Sequence, residues 1–498
     1  MDHPPALRQG HLAAAGTTGH LAAHRTIVNI ANEVTIIELP RRIRAAMPTL
    51  TRSARRPYGA ASLPPARGTG FSRGFTAMRH PNYRRFWFGQ IGSLVGAWMQ
   101  SVALPWLVLQ LGGSPLQLGM VMAFMFGPSL FLAPLGGVLA DRVDKRRMLI
   151  AVNAVAMVQA STLFVLAFTG VVEIWHVYLL ALVAGFVNAV EMPVRQAFVA
   201  ELVPREDLVN AIALSSTSFN LSRVVGPAVA GVTIAVFGVA INFGVNALSF
   251  LSVITGLLLI RSDALSQVPR PSQFPSIRAS LGEGLRYTRA TPTVLWPLVL
   301  LGGIAALAMN FQTLLPIFVR DALALGSSGY GALFAAMGAG SLAGSLTLAF
   351  GTSQRPLLRL IVGGGAGFLV LAFGLGFVRA PLIAFPVVIG IGFASMLMVN
   401  TINVTIQNSV PDALRGRVMS LYVTVFAGSA PIGGLVAGAL AEAWGAPAAF
   451  SIGAALASVV LILVAWRLRS VRMPSFQAAV PAVAPDGERG PQGATRVA

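Results

Sequence analysis

The 498-residue sequence contains no cysteine, and Lys145 is the only lysine among its 36 lysines and arginines. Without cysteine the chain cannot form disulfides, thiolate metal sites, iron–sulfur clusters or a cysteine nucleophile. Because Lys145 is followed by arginine, the Gly-Lys-Ser/Thr step of the phosphate-binding ATPase loop is excluded as well. We therefore expect no metal site, no cofactor and no ATP-driven motor of that type.

Charged residues are also scarce, at 11% of the chain, whereas hydrophobic residues make up 55%. This balance over such a length is typical of a membrane protein and not of a water-soluble core. A transmembrane helix needs about 20 apolar residues, and we predict twelve such segments. They are 86–111, 116–140, 147–169, 175–197, 208–236, 239–260, 293–319, 327–350, 357–378, 381–405, 416–440 and 446–466.

These segments divide the chain into five regions. Residues 1–77 are rich in arginine, and we expect them to be disordered or to be an extension from a mis-called start. Residues 469–498 are rich in proline and alanine, and we expect a disordered tail. Between them the sequence predicts an all-α membrane protein with a six-helix half at 78–260, a cytoplasmic linker at 261–292 and a second six-helix half at 293–468.

The formal net charge is +19, yet no segment resembles a nucleic-acid-binding module, so we predict a lipid bilayer as the partner and no nucleic acid. With a cytoplasmic N-terminus the outward loops carry only Arg320 and Arg379 as basic residues. The inward loops then carry Arg142, Lys145, Arg146, Arg147, Arg195, Arg205, Arg261, Arg270, Arg278, Arg286, Arg289, Arg355, Arg359, Arg415 and Arg417. Because cytoplasmic loops carry an excess of basic residues, we expect both termini inside a bacterial cell and the chain in its inner membrane.

The two halves also resemble each other. Residues 203–243 align without gaps on residues 410–450. The paired residues include Pro204/Pro411, Gly226/Gly433, Gly231/Gly438 and Gly238/Gly445. Both copies run from the fourth to the sixth segment of their half and begin on the same side of the membrane. Such a parallel repeat predicts two pseudo-symmetric halves around a central cavity near the bilayer midplane.

The stretch GVLADRVDKRRML, residues 137–149, lies between the second and third segments. It resembles the major facilitator superfamily signature Gly-x-Leu-Ala-Asp-Arg-x-Gly-Arg/Lys-Arg/Lys, with Asp144 in place of the usual glycine. The resemblance implies the twelve-helix fold of that superfamily and solute transport. The matching residues, which are candidates for a conformational latch, are Gly137, Asp141, Arg142, Lys145 and Arg146.

Two further blocks resemble exporters. Gly226, Pro227 and Gly231 in the sequence GPAVAG resemble a helix 5 element of the antiporter branch, with Ala230 where that element has another glycine. Residues 188–228 are similar to a bacterial exporter subfamily that includes the enterobactin exporter and macrolide efflux proteins. These resemblances imply efflux of a small molecule in exchange for protons, without identifying the substrate.

The simpler interpretation of the 137–149 turn is a basic anchor that holds the loop in the cytoplasm, but an anchor has no need of Asp141. An acid there can pair with an arginine, or with the N-terminus of a neighbouring helix, in one conformation and release it in another. An exposed pair contributes only about 0–1 kcal/mol, which still biases an equilibrium between states a few kcal/mol apart. We therefore expect a latch.

Polar residues also lie inside the fourth and fifth segments. Asn188, Glu191 and Arg195 share one helical face, and Asn220 and Arg223 lie in the fifth segment. An ionisable group at this depth costs at least about 2.5–3.5 kcal/mol on insertion scales. One interpretation is an Arg–Glu bridge that locks the helices together. The other is proton coupling, with Glu191 as the best candidate, or contact with the substrate.

Uncharged side chains of the first, seventh and tenth segments are candidates for lining the substrate cavity. They are Gln90, Trp98, Gln100, Asn310, Gln312, Asn400, Asn403 and Gln407. The alternative for the amides is hydrogen bonding between helices, and for Trp98 it is ordinary packing.

Together these features predict a monomeric, non-enzymatic secondary transporter. It would export a small amphipathic molecule, such as a siderophore or a drug, by alternating access and would draw on the proton gradient. The alternatives are a proton symporter that imports a metabolite and, with less support, a membrane sensor that keeps the fold without moving solute.

Overall fold

The structure is a computed structural model that describes residues 74–261, 263, 265, 277–350 and 357–469, without the side chains of 133–142 and 277–281. These residues form helices and no strand. The helices are α1 (Pro81–Gln110), α2 (Pro115–Arg142), α3 (Lys145–Phe168), α4 (Ile174–Leu202), α5 (Leu208–Phe237), α6 (Val239–Leu258), α7 (Ile277–Ala290), α8 (Pro292–Leu307), α9 (Phe311–Asp321), α10 (Ser327–Phe350), α11 (Leu357–Leu375), α12 (Pro381–Ser409) and α13 (Asp412–Leu468).

Within the described residues, 11 helical stretches are long and apolar enough to cross a membrane, with α8 and α9 counted as one. The last stretch, α13, is 57 residues long and contains Gly445 at φ +78°. A positive φ ends a right-handed helix, so α13 consists of two spanning limbs, 412–444 and 446–468. The predicted all-α fold with twelve transmembrane segments is confirmed.

Gly445 has a counterpart at the same point of the first half. Gly238 separates α5 from α6 and has φ +85° and ψ +165°, close to the φ +78° and ψ +159° of Gly445. These two glycines are paired in the internal repeat of the sequence. The repeat therefore extends to the backbone conformation of the turn between the fifth and sixth helix of each half.

The seventh segment is not the single helix predicted at 293–319. It is interrupted between α8 and α9, where Ala308 and Asn310 leave the helical conformation. The side-chain nitrogen Nδ2 of Asn310 donates to the backbone oxygen of Ala306 at 3.0 Å. Asparagine side chains compete in this way with the backbone ladder of a helix, which accounts for the interruption.

The predicted disordered extension, 1–77, overlaps the start of the structured region, which begins at residue 74. A short 3₁₀ helix occupies Thr76–Arg79. The Asn210 side chain accepts a hydrogen bond from the Ala77 backbone nitrogen at 2.9 Å and donates one to the Gly74 oxygen at 2.8 Å. The approach to α1 is thus fastened to the start of α5, whereas residues 1–73 and 470–498 lie outside the described part.

The predicted linker, 261–292, contains α7. Tyr287 donates through its hydroxyl to the backbone oxygen of Ser409 at 3.0 Å, and Glu283 forms an ion pair with Arg417. These contacts dock α7 on the ends of α12 and α13, so this part of the linker belongs with the second half. We use the term linker end for the end of the bundle at which α7 lies.

Two seams of glycine join the halves away from the linker end. A side chain on Gly231 of α5 would meet the Ser327 oxygen of α10 at 2.8 Å, and one on Gly438 of α13 would meet the Pro115 oxygen of α2 at 2.7 Å. Small residues of this kind allow helix backbones to approach each other in lipid. The first half is therefore held to the second by α5 against α10 and by α2 against α13.

The buried apolar side chains are divided unevenly along the bundle. One cluster runs through both halves away from the linker end, where it includes Leu104, Met122, Ile234 and Leu333, and within the second half it continues to the linker end. At the linker end the described residues of the first half form a separate cluster around Tyr83 and others. Among the described side chains, the two halves thus share a core at one end and not at the linker end.

Candidate transport pathway

The 137–149 segment leads from α2 into α3. Asp144, which replaces the glycine of the superfamily signature, has a structural role in it. Asp144 is the residue before α3, and its Oδ1 accepts a hydrogen bond from the Arg147 backbone nitrogen at 3.1 Å. This bond satisfies one of the free backbone donors at a helix start, and an aspartate in this position stabilises a helix by about 0.5–2 kcal/mol. Asp144 is therefore an N-cap.

The basic residues after Asp144 bind within their own half. Lys145 contacts Glu201 at the end of α4, with Nζ and Oε1 2.6 Å apart. Arg146 donates to the backbone oxygens of Leu257 and Leu258 at the end of α6, at 2.7 and 2.9 Å. Both residues thus tie α3 to neighbouring helices. Arg146 satisfies backbone carbonyls at a helix C-terminus, where a cation is favoured.

The three remaining signature residues are Gly137, Asp141 and Arg142. All three lie on the last turns of α2, but their side chains lie outside the described part of the structure. The latch function of Asp141 stays a prediction.

The polar face of α4 is assembled as the spacing predicts. Glu191 and Arg195 form an ion pair with 3.6 Å between Oε1 and Nη1, and their side chains are only 16% and 21% exposed. Asn188, one turn earlier, is exposed. Because both charged partners belong to α4, this bridge does not lock two helices together, and that interpretation is wrong for Glu191.

Arg223 is a charged residue near the middle of α5 with an aromatic neighbour. Its guanidinium carbon lies 5.8 Å from the centroid of the Trp98 ring on α1. Its Nε is buried and has no hydrogen-bond partner among the described residues. Asn220, one turn earlier, turns its Nδ2 back to the Ser216 backbone oxygen at 2.9 Å. Among the described residues Arg223 forms no bridge to a glutamate, in contrast to one interpretation of the sequence.

The GPAVAG motif brings α5 against helices of both halves. A side chain on Gly226 would collide with Trp98 of α1, in the same half. Gly231 faces Gly331 of α10 in the other half, and the backbone oxygen of Pro227 lies against that same glycine. The motif therefore places α5 between α1 and α10, at one of the two seams between the halves.

Trp98 and Gln100 of α1 have different surroundings. Trp98 is half-buried at the junction of α1, α5 and α10. Gln100 is 8% exposed, accepts a hydrogen bond from Asn246 of α6 at 2.7 Å and donates to Gln159 of α3 at 3.4 Å. The prediction that Gln100 lines the cavity is wrong. Its amide holds three helices of one half together, and Gln90 is half-buried on α1.

The amides of the second half are also divided between packing and open positions. Asn310 is 8% exposed at the break between α8 and α9, and Asn400 donates to the Ser345 hydroxyl of α10 at 3.0 Å. These two amides make contacts within the helix bundle. Gln407 donates to Asn403 at 2.6 Å on the part of α12 nearer the linker end, and Gln407 is exposed. Gln312 is half-buried.

Aromatic residues around Trp98 were not singled out from the sequence. The Trp98 ring lies 5.6 Å from Phe219 of α5 and 6.4 Å from Phe334 of α10, and Phe334 lies 6.0 Å from Tyr330. The sequence of α10 nevertheless contains a pattern that could have indicated Phe334. Gly331 and Gly338 lie seven residues apart on the helix face that meets α5, and Phe334 falls between them on that face.

A separate groove of about 550 Å³ lies between α1 and α6, lined mainly by Arg84, Arg85, Phe88, Leu251 and Leu259. Both helices belong to the first half. A solute path through a protein of two repeated halves runs between the halves, so we assign the candidate pathway to the surroundings of Trp98 and Arg223 and not to this groove.

Twelve spans in two repeated halves, joined through the second, fifth, eighth and eleventh, define a transporter of the major facilitator superfamily. The model of one family in that superfamily, described as transmembrane secretion effector, matches residues 72–488, and the chain belongs to this family.

Among its relatives are two enterobactin exporters. The protein of Escherichia coli O1:K1 (APEC) is 30% identical over 402 residues, and that of Shigella boydii serotype 18 is 29% identical over 402 residues. In each case the match covers 79% of this chain and 94% of the relative.

Solved structures show the same fold. The nucleoside transporter NupG superposes with a TM-score of 0.61 at 13% identity, over 78% of this chain and 99% of that chain. A bacterial homologue of the human lysosomal transporter Spinster, inward-facing and unoccupied, gives a TM-score of 0.56 at 16% identity, over 80% and 97%. The chain is a multi-pass membrane transporter.

Proposed function

We propose that the protein exports a small amphipathic molecule, of the siderophore or drug-like class, across the bacterial inner membrane in exchange for protons. The observation that carries the proposal is the similarity to enterobactin exporters over 79% of the chain. The geometry supports a path between the halves, because Arg223 of α5 contacts Trp98 of α1, whose ring lies 6.4 Å from Phe334 of the second half. The protein works as a monomer, with both termini in the cytoplasm.

Transport proceeds by alternating access of the two halves. This is supported by the shared apolar core at one end of the bundle and the separate core of the first half at the linker end. Such a molecule is closed on one side and opens on the other. In the opposite state the two glycine seams separate. Asp141 at the end of α2 controls the change between the two states by forming an ion pair in one of them and losing it in the other.

Proton coupling resides in the Glu191–Arg195 pair. The two charges lie 3.6 Å apart and are mostly buried, so each is the counter-charge of the other. If the pair separates when the pathway opens to the other side, a proton takes the place of Arg195 as the partner of Glu191. The change of conformation then drives binding and release of the proton.

The test is flux in proteoliposomes that contain the purified full-length protein and enterobactin. With an imposed proton gradient, antiport predicts that enterobactin accumulates on the acidic side, since protons leave that compartment as the solute enters it. Glu191→Gln abolishes this uphill accumulation but leaves downhill exchange intact. Glu206→Gln, which changes an exposed acid in the short 3₁₀ helix between α4 and α5, serves as the control and transports normally.

Accumulation on the alkaline side would overturn antiport in favour of proton symport. An absence of gradient-driven and downhill flux of enterobactin and of a panel of macrolides would favour a sensor. If Glu191→Gln still accumulates substrate against its gradient, the Glu191–Arg195 pair is structural and coupling lies elsewhere.

A further inference from the structure

Arg223 has a charge that the surrounding helices do not balance. The side chain contacts Trp98 of α1, and its backbone lies against Gly338 of α10. The sequences of α1, α5 and α10 contain no aspartate and no glutamate. Among the described residues no carboxylate pairs with Arg223, and its buried Nε has no acceptor. The counter-charge therefore has to come from outside these helices.

An unbalanced arginine at this depth is costly. An arginine in the middle of a spanning helix is among the most costly residues to insert into a membrane. The contact with Trp98 offsets part of this cost, since a desolvated cation is attracted to the face of an indole ring. It does not satisfy the hydrogen-bond donors of the guanidinium, which remain available to a ligand.

The surroundings of Arg223 are aromatic and are contributed by both halves. Trp98 and Phe219 belong to the first half, and Phe334 belongs to the second. The row of rings continues through Tyr330, whose buried hydroxyl also has no hydrogen-bond partner among the described residues. An aromatic ring bound here would touch both halves, which is what a transported solute has to do.

We infer that Arg223 binds the anionic group of an aromatic acid, and that the ring of this acid packs against Trp98 and Phe219. A planar guanidinium presents paired donors that match a carboxylate or a similar flat anion. A phosphate, with nearly two charges, would need further cations, and the sequences of the three surrounding helices place no other cation near their middles. The inference rests on the proposed export function, for which it names the class of substrate.

The binding test uses benzoate and benzamide, which have nearly the same shape and differ in charge. Full-length protein in lipid nanodiscs is incubated with radiolabelled benzoate, and unlabelled benzoate or benzamide competes for the site. We expect benzoate to compete at least about tenfold better than benzamide, because hydrogen bonds to an ionised partner are about twice as strong as neutral ones. Equal competition in the unchanged protein would overturn the inference without any variant.

Three variants then assign the preference to Arg223. Arg223→Gln keeps hydrogen-bonding capacity and should bring benzoate down to the level of benzamide. Arg223→Lys keeps the charge without the paired donors, and an intermediate preference is expected. Arg379→Gln, at an exposed arginine that binds only the backbone of its own turn, should leave the preference unchanged. A full preference in a folded Arg223→Gln protein would also overturn the inference.

The binding measurements need no gradient and no flux. Specific benzoate binding without transport would therefore remove the export proposal alone, and transport without a charge preference would remove this inference alone.

Discussion

Helix α5 and the first limb of α13, residues 412–444, are the same structural unit used twice. Gly226 in α5 and Gly433 in the limb each lie against the first spanning element of their own half. Gly231 and Gly438 each lie against the second spanning helix of the opposite half, with a backbone oxygen 2.8 or 2.7 Å from where a side chain would begin. Close packing of helices accounts for these glycines in both copies.

The two copies differ at one telling position. Arg223 in α5 is matched in the repeat by Ala430, although the glycines that follow in both copies, Gly226/Gly433 and Gly231/Gly438, are shared. The limb forms the same glycine contacts with an alanine at this position, so the packing of the helix does not require a charge there. A costly residue that packing does not require is expected to serve binding or coupling. The comparison thus separates the architecture of the helix from its chemistry.

The largest expected effect comes from giving the second copy the charge of the first. Ala430→Arg places a guanidinium near the middle of a limb whose only acids are Asp412 and Glu442, close to its ends. We expect a loss of at least about 2.5–3.5 kcal/mol on insertion, measured as a lower yield of inserted protein and a lower midpoint of thermal unfolding.

Ala430→Leu is the matched control, since it adds bulk without charge. A Leu variant as unstable as the Arg variant would mean that volume and not charge is decisive at this position. An Arg variant as stable as the unchanged protein would remove the argument that Arg223 is costly.

A smaller loss of stability is expected from substitutions in the two glycine seams. Gly231→Ala and Gly438→Ala each place a methyl group within 3 Å of a backbone oxygen of the facing helix. Overpacking of this kind costs about 1–3 kcal/mol, and the two losses should be similar if the seams are equivalent. Thermal unfolding in detergent measures both, and Gly363→Ala, where nothing lies within 4 Å, should change stability little. Strongly unequal losses would show that the pseudo-symmetry does not extend to energetics.

The two halves also differ at the turn after their second helix, and here the effect should be kinetic. The first half has Asp141, whereas the matching stretch of the second half keeps Gly344 and Leu346 without the acid. We expect Asp141→Asn to slow turnover by up to about fivefold with little change in substrate affinity, because an exposed pair contributes about 0–1 kcal/mol. Single-turnover and equilibrium binding measurements separate these quantities. Unchanged turnover in a folded variant would leave the turn as a basic anchor.

Patterns of sequence predicted the fold well because they reflect the bilayer. Long apolar segments, basic loops and the paired glycines Gly238 and Gly445 follow from lipid and backbone geometry, which a single sequence records. The sequence pattern did not predict the break before Phe311, because this break depends on the Asn310 side chain, which bonds back to its own helix.

The candidate site was predicted only in part, because the identity of a polar residue does not show which side chain it bonds to. Glu191 and Arg195 were placed together correctly because four residues make one turn of helix. Gln100 bonds to side chains of α3 and α6, and Asn400 bonds to a side chain of α10. The surroundings of Trp98 likewise depend on how α1 packs against α5 and α10. Sequence spacing within one helix cannot reveal such contacts between helices.

An effect confined to the start of one helix is expected at Asp144, where the chain departs from the glycine of the superfamily signature. As the N-cap of α3, Asp144 should lose about 0.5–2 kcal/mol of stability when changed to alanine, but only a few tenths when changed to glycine. Glycine is thus an adequate cap at this turn, which explains why either residue serves here. Thermal unfolding of Asp144→Ala, Asp144→Gly and Asp144→Asn decides the matter. A large loss in the asparagine variant, which keeps the cap and removes the charge, would assign the role of Asp144 to its ion pair with Arg147, 3.5 Å away, and not to capping.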